Sequence, residues 1–156
     1  MKFIFILSFL LFTNMIFSQK LKVQGNWNKT LGASDITQAG YDYNSFYESN
    51  DNQTKLSFNP IPNSKYNRQY ASFKIFINKE DLYWDSSIKL FAKVSSNSHG
   101  NSTGTQYQEL TNYSSLFFET IGSQKNIPIK YKISGLSVTL PAESYSVEII
   151  YTVINL

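Results

Sequence analysis

Acidic and aromatic residues lie close together in one short stretch of this sequence. The stretch contains two acidic residues, two aromatic residues and a third acidic residue: Glu80, Asp81, Tyr83, Trp84 and Asp85. Sugar-binding clefts and glycosidase sites combine these residue types, because rings contact sugar faces and carboxylates accept or transfer protons. A glycosidase needs two carboxylates at a defined separation, which spacing in sequence does not establish. We expect no catalysis here. Trp84 is expected to pack between the two sheets as a core anchor, and ligand binding by Trp84 and Asp85 is the alternative.

The single histidine, His99, lies in a polar stretch of serine, asparagine and glycine. Such a stretch predicts an exposed loop. Any Ser–His–acid triad would have to use His99, and no nucleophile-elbow motif accompanies it. One histidine and no cysteine also leave a zinc site short of ligands. We therefore predict no catalytic residue, no metal site and no cofactor, and expect that the protein is not an enzyme.

Residues 48–52, with the sequence Glu-Ser-Asn-Asp-Asn, form an oxygen-rich segment. Calcium prefers oxygen ligands of this kind, but the spacing does not fit an EF-hand loop. Asparagine and aspartate also favour turns, because their side chains bond to their own backbone. A solvated turn is the expected structure, and calcium binding remains the alternative.

Aromatic residues are frequent, with 11 tyrosines and 12 phenylalanines. Six of them offer two interpretations, a platform for a glycan or partner and simple core filling: Trp27, Tyr41, Tyr43, Tyr47, Tyr66 and Tyr70. Our candidate ligand-binding residues combine two of these tyrosines with part of the acidic and aromatic stretch: Tyr41, Tyr43, Trp84 and Asp85.

The first residues predict export. Lys2 precedes an apolar run over residues 3–12, and Ser18 provides a small residue before Gln19. This arrangement is typical of a cleaved secretory signal peptide, and the run is short for a membrane-spanning helix. We expect residues 1–18 to be the signal peptide, with an uncleaved anchor as the alternative. The segment resembles signal peptides of the Bacteroidetes type, which implies the periplasm, cell surface or medium of a Gram-negative bacterium.

Removal of 18 of the 156 residues leaves 138, which predicts one domain over residues 19–156. A domain of this size buries enough surface to fold without disulfides. Without Lys2, the remaining chain has 13 basic and 11 acidic residues, which gives a net charge of +2. Because the charge is nearly balanced and no basic run occurs, we predict no nucleic-acid binding.

Apolar and polar residues alternate with the period of a β-strand in much of the chain. Four segments alternate most clearly: residues 71–77, 88–94, 127–133 and 145–153. Weaker strands are expected at residues 20–23, 41–47, 54–58, 105–110 and 116–120, and one helical turn at residues 79–85. Turn-forming residues separate these segments. The pattern predicts an all-β, immunoglobulin-like antiparallel sandwich of about eight or nine strands.

The last third of the chain has a distinctive pattern. Residues 127–131 lead to the sequence Gly-Leu-Ser-Val-Thr-Leu-Pro-Ala-Glu-Ser-Tyr at 135–145, followed by a strand ending Tyr-Thr-Val at 151–153. This pattern resembles the closing strands of secreted bacterial spore-coat-U-like and fimbrial-subunit-like sandwiches. Glu143 replaces the glycine usual in that turn, and the cysteines common in pilus subunits are absent.

The resemblance implies a secreted, non-enzymatic subunit of the cell surface with a structural or adhesive function. Its partners would be copies of itself or other cell-surface proteins, and no transmembrane span would remain after signal cleavage. The alternative is a carbohydrate- or ligand-binding sandwich module, which the aromatic and acidic segments favour.

Overall fold

A computed structural model describes residues 20–36, 40–59, 71–95 and 104–155. The predicted signal peptide, His99, Tyr66 and Tyr70 lie outside these residues. Within them, the chain forms one short 3-10 helix, Ala33–Asp35, and nine strands. The strands are β1 (Lys20–Gln24), β2 (Phe46–Glu48), β3 (Thr54–Asn59), β4 (Ser72–Tyr83), β5 (Lys89–Val94), β6 (Gln108–Glu109), β7 (Ser115–Ile121), β8 (Gln124–Ser134) and β9 (Ser146–Asn155).

The strands form two antiparallel sheets, so the predicted all-β sandwich is confirmed. The large sheet has the order β1-β3-β8-β5-β6, and β2 also pairs with β8. The small sheet has the order β7-β4-β9. Each sheet buries one face, as the alternation in the sequence predicts.

The core lies between the two sheets. On β4, Phe73, Ile75 and Ile77 are fully buried and alternate with less buried neighbours. Phe73 meets Phe58 of the large sheet edge to face, with ring centroids 5.5 Å apart. Contacts of this kind make the inward side chains of both sheets one continuous core.

Two buried tyrosines also join the sheets. The hydroxyl groups of Tyr131 on β8 and Tyr151 on β9 lie 2.8 Å apart, in hydrogen-bond contact. Burial, followed by the charge of its partner, raises the pKa of Tyr151 well above the ordinary value. Both hydroxyls therefore stay protonated throughout the physiological pH range, and the bond between the sheets persists with them.

The prediction of a helical turn at residues 79–85 is wrong. β4 continues to Tyr83, with one register shift after Asp81, because its last residues pair with the beginning of β9. Two of the weaker predicted strands are shorter than expected, since only Phe46–Glu48 and Gln108–Glu109 are in the ladders. In each case partner strands determine the extent, and local residue preference does not.

One end of the sandwich collects several connections. Ser134, the last residue of β8, pairs with Phe46 of β2 and with Lys89 of β5. Ser146, the first residue of β9, pairs with Tyr83, the last of β4. The connections at residues 40–45, 84–88, 111–114 and 135–145 therefore meet there. Within the described residues, no helix is long and apolar enough to cross a membrane.

Candidate functional site

We call this end of the molecule the tyrosine end and define it as residues 40–46, 82–88, 111–114 and 135–145. Six of the eleven large hydrophobic residues that are exposed in the described chain lie there: Tyr41, Phe46, Leu82, Tyr83, Tyr113 and Val138. Exposed apolar groups concentrated in one region indicate an interaction surface, whereas scattered ones need no explanation.

A pair of stacked tyrosines lies at the junction of β4 and β9. The rings of Tyr83 and Tyr145 are 6.3 Å apart and inclined by 20°. The Tyr83 hydroxyl donates a 2.6 Å hydrogen bond to Oε2 of Glu143, and the Tyr145 hydroxyl donates to the carbonyl of Pro141 at 2.9 Å. The result is a partly exposed aromatic surface with a carboxylate at its edge.

The same contacts raise both tyrosine pKa values. The hydrogen bond to Glu143 raises the pKa of Tyr83, because the carboxylate accepts a hydrogen bond from the neutral hydroxyl and would repel a phenolate. Partial burial, followed by the charge of Glu143, raises the pKa of Tyr145. Asp85 adds a weaker effect on Tyr145. The two phenols are therefore neutral hydrogen-bonding groups at physiological pH.

Asp42 joins two connections of the tyrosine end. Its Oδ1 accepts hydrogen bonds from the backbone N–H of Val138 at 2.8 Å and of Tyr43 at 2.7 Å. The Ser137 hydroxyl is the largest influence that lowers the pKa of Asp42, and these two backbone groups follow. The carboxylate thus holds the β8–β9 connection against the segment that contains Tyr41 and Tyr43.

Removal of the Asp42 side chain should loosen the β8–β9 connection without unfolding the sandwich. In Asp42→Ala, we expect hydrogen exchange at the Val138 amide to accelerate at least about tenfold, because its acceptor is gone. Asp42→Asn is the matched control, since it retains an acceptor oxygen. In the wild-type protein the same loosening should develop as the pH falls below the ordinary aspartate pKa of about 3.9, because a lowered pKa delays protonation until then. Unchanged exchange in Asp42→Ala would contradict the assignment.

The candidates Trp84 and Asp85 also lie at the tyrosine end, but each has an internal contact. Trp84 is half-buried against the core, and its Nε1 donates to the carbonyl of Ile88 at 2.8 Å. Oδ1 of Asp85 accepts from the Ser87 hydroxyl at 2.6 Å and from its backbone N–H at 2.8 Å. The hydroxyl bond, then the backbone bond, lowers the pKa of Asp85. Both residues shape the β4–β5 turn.

Asp81, the aspartate that precedes Tyr83 and Trp84, is paired as well. Asp81 forms an ion pair with Lys79 and accepts from Asn112 Nδ2 at 3.2 Å. Lys79 is the main cause of the lowered pKa of Asp81. A general acid in glycoside hydrolysis needs a raised pKa, and the resolved shifts at Asp81 and Asp85 run in the opposite direction.

Of the six predicted platform residues, the four that the structure describes do not form one surface. Tyr41 is 63% exposed and Tyr43 is half-buried, both at the tyrosine end. Trp27 stacks on Tyr131 at 6.3 Å, and Tyr47 lies beneath the Lys29 ammonium at 4.7 Å. Those two rings pack within the protein, as the core-filling alternative expected. Tyr66 and Tyr70 lie outside the described residues.

The oxygen-rich segment at residues 48–52 is a turn between β2 and β3. Glu48 and Asp51 each accept from Lys130 Nζ at 2.9 Å. Glu48, followed by Asp51, raises the pKa of Lys130 above its ordinary value. An ammonium group therefore occupies the place between the carboxylates. Within the described ranges, no group of three acidic or histidine side chains is arranged to hold a metal ion.

A second aromatic cluster covers the outer face of the large sheet. The Lys132 ammonium lies 4.4 Å from the ring centre of Tyr107, 4.7 Å from Phe91 and 5.9 Å from Phe46. Lys93 lies 4.7 Å from the Tyr107 ring. Burial, followed by Glu48, raises the pKa of Tyr107 to about 12. The protein's own lysines contact these rings, so the cluster stabilises the sheet face.

Sequence reasoning missed Tyr83 and Tyr145 as a pair, together with Glu143 and the 83% exposed Tyr113. Tyr83 and Glu143, for example, are 60 residues apart along the chain, so sequence spacing does not indicate that they meet. The available signal was the long connection at residues 135–145, because long connections more often carry functional residues.

Comparison with protein-family models, with curated proteins and with solved structures found no match to this chain.

Proposed function

We propose that this chain is a secreted, non-enzymatic subunit of the cell surface, with a structural or adhesive role, that contacts its partner through the tyrosine end. One observation carries the proposal: exposed aromatic and apolar side chains gather where four connections meet. Tyrosine is favoured at contact surfaces because it offers a large rigid ring and a polar tip at a low cost in conformational entropy.

The contacts within the tyrosine end support the proposal. Asp42 holds the β8–β9 connection, and Glu143 orients Tyr83. A surface held in advance loses less conformational freedom when it binds. The non-enzymatic character is supported by the lowered pKa values of Asp42, Asp81 and Asp85, since none of these carboxyls is poised to donate a proton near neutral pH.

Surface retention of the exported protein tests the proposal. In cells that produce the full chain, we expect the wild-type protein to remain on the cell surface, accessible to added protease. The double variant Tyr83→Ala, Tyr145→Ala should bind its surface partner at least about tenfold less tightly, because central aromatic residues carry much of a contact's energy. It should therefore appear mainly in the medium.

The matched control is Ile121→Ser. Ile121 is 58% exposed and pairs with Ser72, near the other end of the sandwich. This variant should be retained like the wild-type protein. Release of the wild-type protein, or equal retention of the double variant, would contradict the proposal.

Carbohydrate binding at the same end is the second candidate. The observation that favours it is the stacked pair of Tyr83 and Tyr145 beside the Glu143 carboxylate, since rings contact sugar faces and carboxylates accept from sugar hydroxyls. A glycan array with purified protein separates the two candidates. Binding of a defined glycan that Tyr83→Ala abolishes supports this candidate. If no glycan binds, or if binding ignores Tyr83, the candidate fails.

A further inference from the structure

The five edge strands of the described chain, β1, β2, β6, β7 and β9, differ in how they discourage pairing with another strand. Natural edge strands are short, carry charged residues, above all lysine, or proline, or contain a bulge. β1 carries the exposed Lys22, β2 has three residues and β6 has two. β7 has one extra residue, Phe117, where its ladder with β4 shifts register. Each of these four edges therefore has one of the known devices.

β9 is less protected than these four: Glu148 is its one charged residue, and the register shift in its ladder with β4 places the extra residue, Leu82, on β4. It runs for ten residues, Ser146–Asn155, without lysine, arginine, proline or glycine. In the described chain it pairs with β4 alone. Its inward residues Val147, Ile149 and Val153 are only partly buried, although they pack against the core. Its outward residues include two exposed isoleucines, Ile150 at 36% and Ile154 at 46%. As far as residues 20–36, 40–59, 71–95 and 104–155 are concerned, the other edge of β9 thus offers both unpaired backbone groups and apolar side chains to an incoming strand.

We propose that β9 pairs antiparallel with the β9 of a second copy of this chain, about a two-fold axis at Ile150. The two small sheets would then form one continuous sheet. This inference goes beyond the proposed function, because it concerns a different surface of the molecule and commits to a second copy of this chain as the partner.

The sequence of β9 is complementary to itself in this register. Directly opposed residues of an antiparallel pair lie on the same face, so Val147 would meet Val153 and Ile149 would meet Tyr151 on the inner face. These pairs would cover the partly buried side chains at the edge of the core. Two-fold pairing is also closed, so it gives a dimer rather than an open aggregate.

The single charge of β9 favours the same register. Glu148 faces Glu80 of β4, a like-charge pair across the ladder. Centred on Ile150, the dimer would place the Thr152 hydroxyl of the second copy beside Glu148, where it can donate a hydrogen bond. Centring on Tyr151 would instead place Ile154 there. Self-pairing at Ile150 therefore gives the unneutralised carboxylate a polar neighbour and keeps the two copies of Glu148 apart.

A charge-swap experiment tests the proposal. Ile150→Lys and Ile150→Glu each place like charges opposite one another across the two-fold axis, so each should weaken the dimer at least about tenfold. Mixing the two variants should restore a dimer that contains one copy of each, as native mass spectrometry can count. Ile121→Lys, an equal change at an exposed isoleucine on β7, should leave the wild-type dimer intact.

Several results would overturn the proposal. They are a wild-type protein that stays monomeric at millimolar concentration, a dimer that Ile150→Lys leaves unchanged, and folded variants that fail to pair when mixed. Hydrogen exchange of the wild-type protein needs no substitution: protection of the β9 amides that point away from β4 should rise with protein concentration. Protection of these amides in protein that native mass spectrometry shows to be monomeric would show that another part of the same chain covers the edge, which overturns the proposal. None of these results depends on the tyrosine end, so either proposal can fail alone.

Discussion

Phe73→Ala is expected to lower the free energy of unfolding by about 3–5 kcal/mol, the usual loss when a large aromatic side chain is removed from a core. Phe73 is fully buried and touches Phe58 of the opposite sheet. The surrounding strands are paired on both sides of β4, so they cannot close the cavity fully.

Phe76→Ala is the matched control for this loss. Phe76 lies on the same strand but points to the outer face, where it pairs with Leu116 and Thr152. Its removal should cost about 1 kcal/mol, because it is only partly buried. Urea unfolding of both variants measures the difference. Equal losses would show that β4 does not present Phe73 to the core and Phe76 to the outside.

Gly135→Ala should destabilise the protein by at least about 3 kcal/mol, since two effects add. Gly135 has a φ of +81°, in the left-handed region where a Cβ costs about 1–2 kcal/mol. A Cβ at this position would also overlap the carbonyl oxygen of Ser87. Because that oxygen belongs to the backbone of the β4–β5 turn, the two connections would have to separate.

Gly40→Ala isolates the first effect, the cost of a Cβ in the left-handed region. Gly40 has nearly the same φ, +85°, and among the described residues beyond its chain neighbours no atom lies within 4 Å of the added Cβ. It should therefore lose only the conformational cost of about 1–2 kcal/mol. If urea unfolding showed the same loss of stability in both variants, the close packing of Gly135 on Ser87 would not contribute to the stability of the protein.

The alternation of apolar residues was sufficient to predict the sandwich. The inward faces expected for residues 71–77 and 88–94 are confirmed, because Phe73, Ile75, Leu90 and Ala92 are buried. Alternation works here because each sheet has one buried face, so period and burial coincide. The pairing partners were not predictable, since strands far apart in the chain form the ladders.

The candidate site was predictable only in part. Tyr41, Tyr43, Trp84 and Asp85 do lie at one end, because strand register places their two connections together. The contacts of Trp84 and Asp85 within the β4–β5 turn depend on local backbone geometry that sequence spacing does not give. Tyr83 and Glu143 meet across 60 residues, through the pairing of β4 with β9. The prediction of a helical turn at residues 79–85 left the end of β4 unpaired and therefore did not include this contact.

The most direct test of the central claim is a hydrogen-exchange footprint of the purified protein on an isolated cell-surface fraction of the cells that produce it. The account predicts that protection rises in residues 82–88 and 135–145, two segments of the tyrosine end, and stays unchanged in β7 at the edge of the small sheet. Protection that rises in β7 or on the outer face of the large sheet, with none at the tyrosine end, would contradict it.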